Sequence, residues 1–193
     1  MNRILIVDDE ESILRALRRL LTLTPCKVGE KTYTFVVDSF SSPEAALEKA
    51  RHTAYDLVLS DYRMPRMDGV TFLKAFRELQ PECARLILSG YADLNGLIGA
   101  INDAGISRFL SKPWNDYELL SAIGQALALR EMTMENQRLA DLARLSMGKV
   151  SAEEVERKRL EAEEPGITRV IWGPDGSVML DESLLDDEDT GKL

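Results

Sequence analysis

The sequence predicts an α/β fold in which a doubly wound parallel sheet of five strands, in the order 2-1-3-4-5, carries helices on both faces. Two observations support this prediction. Short apolar runs alternate five times with amphipathic stretches in the first 130 residues, and this alternation is typical of successive βα units. The runs are also continuously apolar, which indicates strands that are buried on both faces, as in parallel sheets.

Five apolar runs mark the strands, and apolar residues at helical spacing follow each run. The strands are predicted at residues 4–7, 35–37, 56–60, 86–88 and 108–110. The helices are predicted at residues 13–21, from Ser42-Pro43 onward, at 72–79, at 94–104, and in a long segment that Asn115 or Asp116 caps. The connection from Thr22 to Thr34 is long for an αβ unit, and we expect a polar surface loop there.

The rest of the chain contains no further βα unit. We therefore divide the 193 residues into a body, residues 1–127, a helical or coiled-coil extension, residues 128–164, and a hairpin and acidic tail, residues 165–193. In the tail, residues 168–180 have the pattern of a β-hairpin around a four-residue turn. The four consecutive acids at 186–189 are typical of a disordered terminus.

The extension begins with a heptad-like pattern. Residues suited to a helix–helix seam recur at alternating spacings of three and four, and a polar residue stands at an a-type position. The first members of this seam are Leu129, Met132, Asn136 and Leu139. The pattern predicts a homodimer through helix 115–147, and it is also compatible with an amphipathic helix that lies on its own body. Ser151 and Glu154 then have the spacing of a capping box for a second, mostly charged helix.

Charge and composition exclude several classes of protein. The net charge is −9, and residues 131–193 alone carry −8, so we expect no nucleic-acid partner and disfavour a DNA-binding regulator. A single histidine excludes a two-histidine metal site, and two distant cysteines argue against a disulfide framework. The apolar start of the chain is too short for a signal peptide or a membrane span. We therefore expect a cytoplasmic protein without a membrane partner.

Three acidic residues follow strands that the predicted order makes neighbours. Asp8 and Asp9 come directly after the first strand, and Asp61 comes after the third. Because ligands of doubly wound sheets bind beyond the carboxyl ends of the strands, these carboxylates should converge and need a cation, for which Mg²⁺ is the natural choice. The alternative is that they only cap helices or turns. Ser89 and Lys112 end the next two strands, and a hydroxyl and an ammonium there suit a bound phosphoryl group.

These residues and their neighbours resemble the receiver domain of bacterial two-component response regulators, which is CheY-like with a flavodoxin-like strand order. The resemblance covers about residues 1–127, and its motifs occur in the expected order: Asp8-Asp9, Asp61-Tyr62-Arg63-Met64-Pro65-Arg66-Met67-Asp68-Gly69, Ser89-Gly90 and Lys112-Pro113. Apart from the resemblance, an X-Pro bond can be cis at modest cost, and a cis bond before Pro113 could aim Lys112 back into the site.

The resemblance implies a role for each of these positions. Asp61 would be the phospho-acceptor, and Mg²⁺ would be held by Asp9 directly, by Asp8 mainly through water, and by Asp61 and the backbone carbonyl of Arg63. Ser89 and Lys112 would bind the phosphoryl group. Ser89 and Phe109 would form a switch, in which Phe109 lacks the hydroxyl of the commoner tyrosine.

The implied function is that of a signalling protein rather than an enzyme, limited to phosphotransfer onto itself and autodephosphorylation. A cognate histidine kinase would supply the phosphoryl group. Arg63 and Tyr91 would overhang the site and set the lifetime of the phosphate, unless they are ordinary surface side chains. Gly96 and Gly99 would make helix 94–104 a mobile element of the response.

The sequence says less about how the protein would pass a signal on. The motifs resemble receivers that precede HD-GYP or NtrC-type domains, but residues 128–193 contain no histidine, P-loop or basic recognition helix. We therefore expect signalling to an unknown downstream protein through contacts of the receiver face and the helical extension. The alternative is a constitutive adaptor or dimerisation scaffold on a receiver fold, whose output does not depend on phosphorylation.

Overall fold

A parallel five-stranded sheet forms the centre of the body. The structure is a computed structural model, and it describes residues 1–90, 104–147, 151–163, 171–172 and 178–179. The elements in chain order are β1 (Asn2–Val7), α1 (Glu11–Leu23), β2 (Cys26–Val28), β3 (Lys31–Tyr33), β4 (Phe35–Phe40), α2 (Pro43–Ala50), β5 (Leu57–Asp61), α3 (Gly69–Leu79), β6 (Ala84–Gly90), β7 (Arg108–Lys112), α4 (Asp116–Ser146), α5 (Ala152–Glu163), β8 (Ile171–Trp172) and β9 (Val178–Met179). The sheet order is β4-β1-β5-β6-β7. This confirms the predicted order 2-1-3-4-5 of the main strands.

Two apolar layers cover the two faces of the sheet. Alternate residues of β1, such as Ile4 and Ile6, pack with α1 and α4, whereas Leu5 and Val7 pack with α2 and α3. Most side chains of β1, β5 and β6 are buried on both faces, which explains why these strands are continuous apolar runs in the sequence.

Short polar residues cap α2, α3 and α4, and two of these caps, at α2 and α4, lie where the sequence predicts them. The hydroxyl of Ser42 accepts a hydrogen bond from a backbone N–H of α2, whose first residue is Pro43. The carboxylate of Asp68 accepts from the first turn of α3 at 2.8 Å. The side chain of Asn115, rather than that of Asp116, caps α4. These caps fix where the helices leave the loops that follow the strands.

The prediction of a polar surface loop from Thr22 to Thr34 is wrong. This segment contains the antiparallel pair β2–β3, in which Cys26 pairs with Tyr33. Both side chains are buried in the apolar layer beneath α1 and α4. The polar residues between them are exposed, so the sequence of this segment shows no apolar pattern that would indicate a buried strand.

Helix α4 continues as a single helix of 31 residues from the body into the extension. Its side chains Leu129, Met132 and Leu139 are 62%, 65% and 54% exposed, and Asn136 is exposed as well. The alternative in which this part of the helix lies on its own body therefore does not hold for these residues. The seam residues are available for a contact outside the described part of the chain.

Beyond α4, several predictions hold as far as the structure describes the residues. Ser151 and Glu154 form the reciprocal hydrogen bonds of a capping box at the start of α5. The strands β8 and β9 pair antiparallel as the predicted hairpin. The turn at 173–176, the acidic run at 186–189 and most of helix 94–104 lie outside the described residues. Among the helices that are described, none is long and apolar enough to cross a membrane.

Candidate functional site

The strand register brings two carboxylates together at one edge of the sheet. Val7 of β1 lies opposite Ser60 of β5, so the next residues, Asp8 and Asp61, stand side by side where both strands end. The Asp8 residue is 0% exposed and Asp61 is 6% exposed. Two neighbouring buried carboxylates repel each other and need a compensating positive charge.

Lys112 supplies that charge from the end of β7. Its Nζ lies 2.6 Å from Oδ2 of Asp8 and 2.5 Å from Oδ1 of Asp61. The peptide bond between Lys112 and Pro113 is cis. The ammonium therefore joins the two carboxylates into one hydrogen-bonded cluster at the carboxyl edge of the sheet.

Backbone amides hold the second oxygen of each carboxylate. The N–H of Arg63 donates to Oδ2 of Asp61 at 2.9 Å, and the N–H of Glu10 donates to Oδ1 of Asp8 at 2.9 Å. Each donor lies two residues after its acceptor, so the chain turns back on the carboxylate immediately after the strand. These bonds fix the orientation of both carboxylates.

Burial and pairing shift the pKa values in this cluster. Burial raises the pKa of Asp8 above its ordinary value, although hydrogen bonds from Lys112 and from the backbone of Glu10 oppose it. Burial also acts to lower the pKa of Lys112, but its hydrogen bonds to Asp61 and Asp8 outweigh burial and raise that pKa. Lys112 thus keeps its proton and its charge while it faces the two carboxylates.

Gly69 gives the site its close packing. A Cβ atom at this position would collide with the carbonyl oxygen of Asp61 and would lie 3.1 Å from Cα of Tyr62. The backbone N–H of Gly69 donates to the carbonyl of Tyr62 at 2.8 Å, so α3 starts directly against the loop that follows β5. Gly69 is the last residue of the motif that begins at Asp61, but the reason for a glycine at this position depends on tertiary packing.

Ser89 and Phe109 lie on the two strands beyond Asp61. Leu88 pairs with Asp61, so Ser89 is one residue further along β6, and its side chain is buried. Phe109 of β7 is half-buried and packs against the apolar layer that also contains α3. The structure thus brings Ser89 to the same edge as the carboxylates, and leaves Phe109 partly exposed one strand away.

The donors present fit a hard divalent cation in chemical type. Asp8 and Asp61 present carboxylate oxygens, the ligand type that Mg²⁺ prefers, and buried anions gain from an added positive charge. Within the described ranges, however, no group of three or more His, Cys, Asp or Glu side chains is arranged to hold a metal ion. The convergence of Asp9 with the other two acids therefore remains a prediction. Asp9 is exposed, whereas Asp8 contacts Lys112.

The predicted lifetime residues are only partly described. Arg63 is exposed and its backbone contacts Asp61, whereas Tyr91 lies outside the described residues. Two further residues with defined contacts escaped the sequence analysis. Arg130 and Glu131 fasten α4 to the body through Asp56 and through the β2–β3 hairpin. In the sequence both look like ordinary surface charges of a helix.

Comparison with known families gives one match over most of the body. A family described as the response regulator receiver domain matches residues 4–124. The chain is also similar to a solved signal receiver domain of an HD domain-containing protein from Pseudomonas fluorescens, with 37% identity, a TM-score of 0.58, and coverage of 68% of this chain and 98% of the other. A receiver domain protein from Clostridium thermocellum gives 28% identity, a TM-score of 0.60, and coverage of 69% and 99%.

Two curated relatives are similar over the same region. The hydrogenase transcriptional regulatory protein HoxA of Bradyrhizobium diazoefficiens is 36% identical over 134 residues, which are 69% of this chain and 26% of that protein. The response regulator protein TodT of Pseudomonas putida is 31% identical over 133 residues, which are 69% of this chain and 54% of that protein. The chain thus matches about a quarter of the first relative and about half of the second.

Proposed function

This chain belongs to the response regulator receiver family, and from that membership we propose that it is a two-component response regulator whose Asp61 accepts a phosphoryl group from a histidine kinase. The observation that carries the proposal is the cluster in which Lys112 joins Asp8 and Asp61 at the carboxyl edge of the sheet. In this proposal residues 1–127 are the receiver, residues 128–164 the helical extension, and residues 165–193 the tail.

The chemistry assigned to Asp61 is nucleophilic. A carboxylate oxygen of Asp61 forms a bond to phosphorus as the bond to the donor imidazole breaks, and the imidazole nitrogen keeps the electron pair of that bond. The ring leaves as neutral imidazole if its other nitrogen is already protonated, and otherwise takes up one proton as it leaves. The backbone N–H of Arg63 and the ammonium of Lys112 hold the carboxylate in one orientation. Lys112 remains charged and can follow the phosphoryl oxygens, while the hydroxyl of Ser89 binds another of them.

We assign a Mg²⁺ site to Asp8, Asp9, Asp61 and the backbone carbonyl of Arg63. When bound, Mg²⁺ would supply positive charge for the phosphoryl oxygens. The buried position of Asp8 supports this assignment, because burial raises the pKa of its carboxyl and a cation offsets the cost of keeping it ionised.

Two further roles belong to the same proposal. Phe109, half-buried beside the apolar layer of α3, is the aromatic residue that would turn inward as Ser89 moves toward the phosphoryl group. Arg63 is exposed directly beside Asp61, where with Tyr91 it would shield the acyl phosphate from water. Slower dephosphorylation of the parent chain than of Arg63→Ala would support this shielding; equal rates would contradict it.

The output that we propose is a contact through α4, with formation of a homodimer. Along α4 the positions 120, 124 and 131 contact the hairpin, and the positions 119, 122, 123, 126 and 127 fill the core. At 100° per residue, the seam of Leu129, Met132, Asn136 and Leu139 points away from both. This leaves an apolar stripe that a second copy, paired in the manner of a coiled coil, would bury.

The second candidate is a constitutive scaffold, in which the same helix pairs regardless of phosphorylation. The exposed stripe of α4 favours this candidate as well, because its exposure does not involve the carboxylate cluster. Light scattering of the full chain with and without beryllofluoride and Mg²⁺ separates the two. A change in mass or shape supports the response regulator, and a dimer that is identical in all samples supports the scaffold.

The phosphorylation itself is tested on the full chain with a phosphorylated histidine kinase or a small acyl phosphate as donor. We expect Asp61→Asn to abolish incorporation of the phosphoryl group, and the exposed control Asp116→Asn to retain it. Intact mass measurement after brief incubation gives the readout. Equal incorporation in both variants would refute Asp61 as the acceptor.

A further inference from the structure

The β2–β3 hairpin forms an interface with α4 that the receiver chemistry does not require. The thiol of Cys26 donates to the carbonyl of Leu120 at 3.0 Å. One turn further along α4, a Cβ atom at Gly124 would collide with Sγ of Cys26 and would lie 2.6 Å from Cγ2 of Val28. The hairpin thus touches the helix so closely that only a glycine fits between them.

The second strand of the hairpin contacts the same helix two turns later. The Nζ atom of Lys31 lies 2.6 Å from Oε2 of Glu131, and the hydroxyl of Tyr33 donates to the same oxygen at 3.1 Å. Tyr33 is buried, so its ring position is fixed by the core and its hydroxyl presents a fixed contact to the helix. Glu131 lies beyond residue 127, where the receiver ends.

A neighbouring residue fastens the other side of α4 to the sheet. Nη1 of Arg130 lies 2.8 Å from Oδ1 of Asp56, and Nε of Arg130 donates to the carbonyl of Glu82 at 2.9 Å. Asp56 also accepts a hydrogen bond from the backbone N–H of Arg3, so it links the helix to the start of two central strands. Contacts on two sides of one turn restrain both the tilt and the rotation of the helix.

We propose that the hairpin and Arg130 form a clasp that holds α4 from Leu120 to Glu131 and makes the extension a rigid arm of the receiver. The clasped stretch covers eleven steps, or about 16 Å at about 1.5 Å per residue, and it spans the boundary at residue 127. There is consequently no hinge at this boundary. The direction of the arm, and the side to which its apolar stripe points, are set by the body.

This inference does not rest on phosphorylation of Asp61. Its test therefore uses the unphosphorylated chain, and its failure would leave the proposed phosphorylation unaffected. Spin labels are placed on exposed positions of the body and of the arm, through Lys49→Cys and Gln137→Cys, in the full chain diluted with unlabelled chain. The native cysteines are buried and should not be labelled. The distance distribution between the labels then reports how firmly the arm is held.

Charge reversal at the clasp provides the decisive comparison. Glu131→Lys places a second ammonium beside Lys31, whereas the matched control Glu135→Lys breaks only an exposed pair with Arg138 within the helix. We expect a narrow distribution in the parent and in the control, a broad or shifted one in Glu131→Lys, and a return to the narrow one when Lys31→Glu is added. A broad distribution in the parent, or an unchanged one in Glu131→Lys, would overturn the clasp. So would a double variant that stays broad.

A second variant tests the close approach at Gly124. Alanine strengthens a helix relative to glycine, so Gly124→Ala would slow hydrogen exchange in α4 if the hairpin contact were incidental. The clasp predicts the opposite: faster exchange in residues 26–33 and 128–137, with the central strands unchanged. Thr133→Ala, which changes the same helix away from the hairpin, should not accelerate exchange in residues 26–33. Slower or unchanged exchange in Gly124→Ala would refute the inference.

Discussion

Replacement of Lys112 by methionine should destabilise the protein, because it leaves two buried carboxylates without their shared cation. Methionine has a similar length and no charge. The charges of Lys112 and Asp8 are 2.6 Å apart, and their Coulomb attraction is about 6 kcal/mol at an effective dielectric constant of about 20. Much of this is offset by the cost of burying the ammonium. Removal of one partner of a buried pair typically costs about 3–5 kcal/mol.

The lower end of that range applies here, because the side chain of Lys112 is still 19% exposed. We therefore expect the free energy of unfolding to fall by about 3 kcal/mol. At about 2–4 °C per kcal/mol for a chain of this size, Tm falls by about 6–12 °C. Thermal unfolding followed by circular dichroism at neutral pH measures this, with the exposed Lys49→Met as the control that removes a charge without removing a buried pair.

The pH dependence of this loss has a definite sign. Burial already raises the pKa of Asp8, and loss of the ammonium removes an interaction that lowers it, so the folded variant binds its proton more tightly than the unfolded chain does. A folded state that binds more protons loses stability as the pH rises. The deficit of Lys112→Met relative to the parent should therefore shrink as the pH is lowered toward about 5. A deficit no larger than that of Lys49→Met, or one that grows on acidification, would refute the reasoning.

The remaining predictions concern packing, capping and thiol burial. Gly69→Ala should lower Tm, because its methyl group would collide with the carbonyl oxygen of Asp61; an unchanged Tm would contradict the close packing of α3 on this strand. Asn115→Ala should cost about 1 kcal/mol in chemical denaturation, since two N–H groups of α4 lose their cap, whereas Asn115→Asp should cost little. Burial raises the pKa of Cys83 to about 12 and also raises that of Cys26, so an aromatic disulfide reagent at neutral pH should label neither thiol until the chain is unfolded.

The fold followed from the sequence because burial on both faces leaves a continuous apolar run. The runs at Ile4–Val7 and Leu57–Ser60 could be recognised without any knowledge of their partners, and the helices after them show apolar residues at helical spacing. The candidate site followed for a related reason. In a parallel sheet, residues at the ends of neighbouring strands share an edge, so Asp8, Asp61 and Lys112 could be brought together from chain position and strand order alone.

The connection before β4 could not be predicted in the same way. Only two of its side chains, Cys26 and Tyr33, are buried, and a strand of three residues has too few positions to show an alternating pattern. Their burial depends on α4, which lies about a hundred residues away in the chain and meets the hairpin at Gly124. The residues next to Cys26 and Tyr33 in the sequence therefore do not indicate this contact.

The sequence alone thus determined the strand order, the starts of α2 and α4 and the residues of the carboxylate cluster, because each depends on local burial, on a local cap or on position at a strand end. The tertiary structure alone decided that Lys112 contacts both carboxylates directly, why glycine stands at position 69, and which face of α4 is exposed. These features depend on distances between segments that are far apart in the chain. A charged residue such as Glu131 looks the same in the sequence whether it faces water or the hydroxyl of Tyr33.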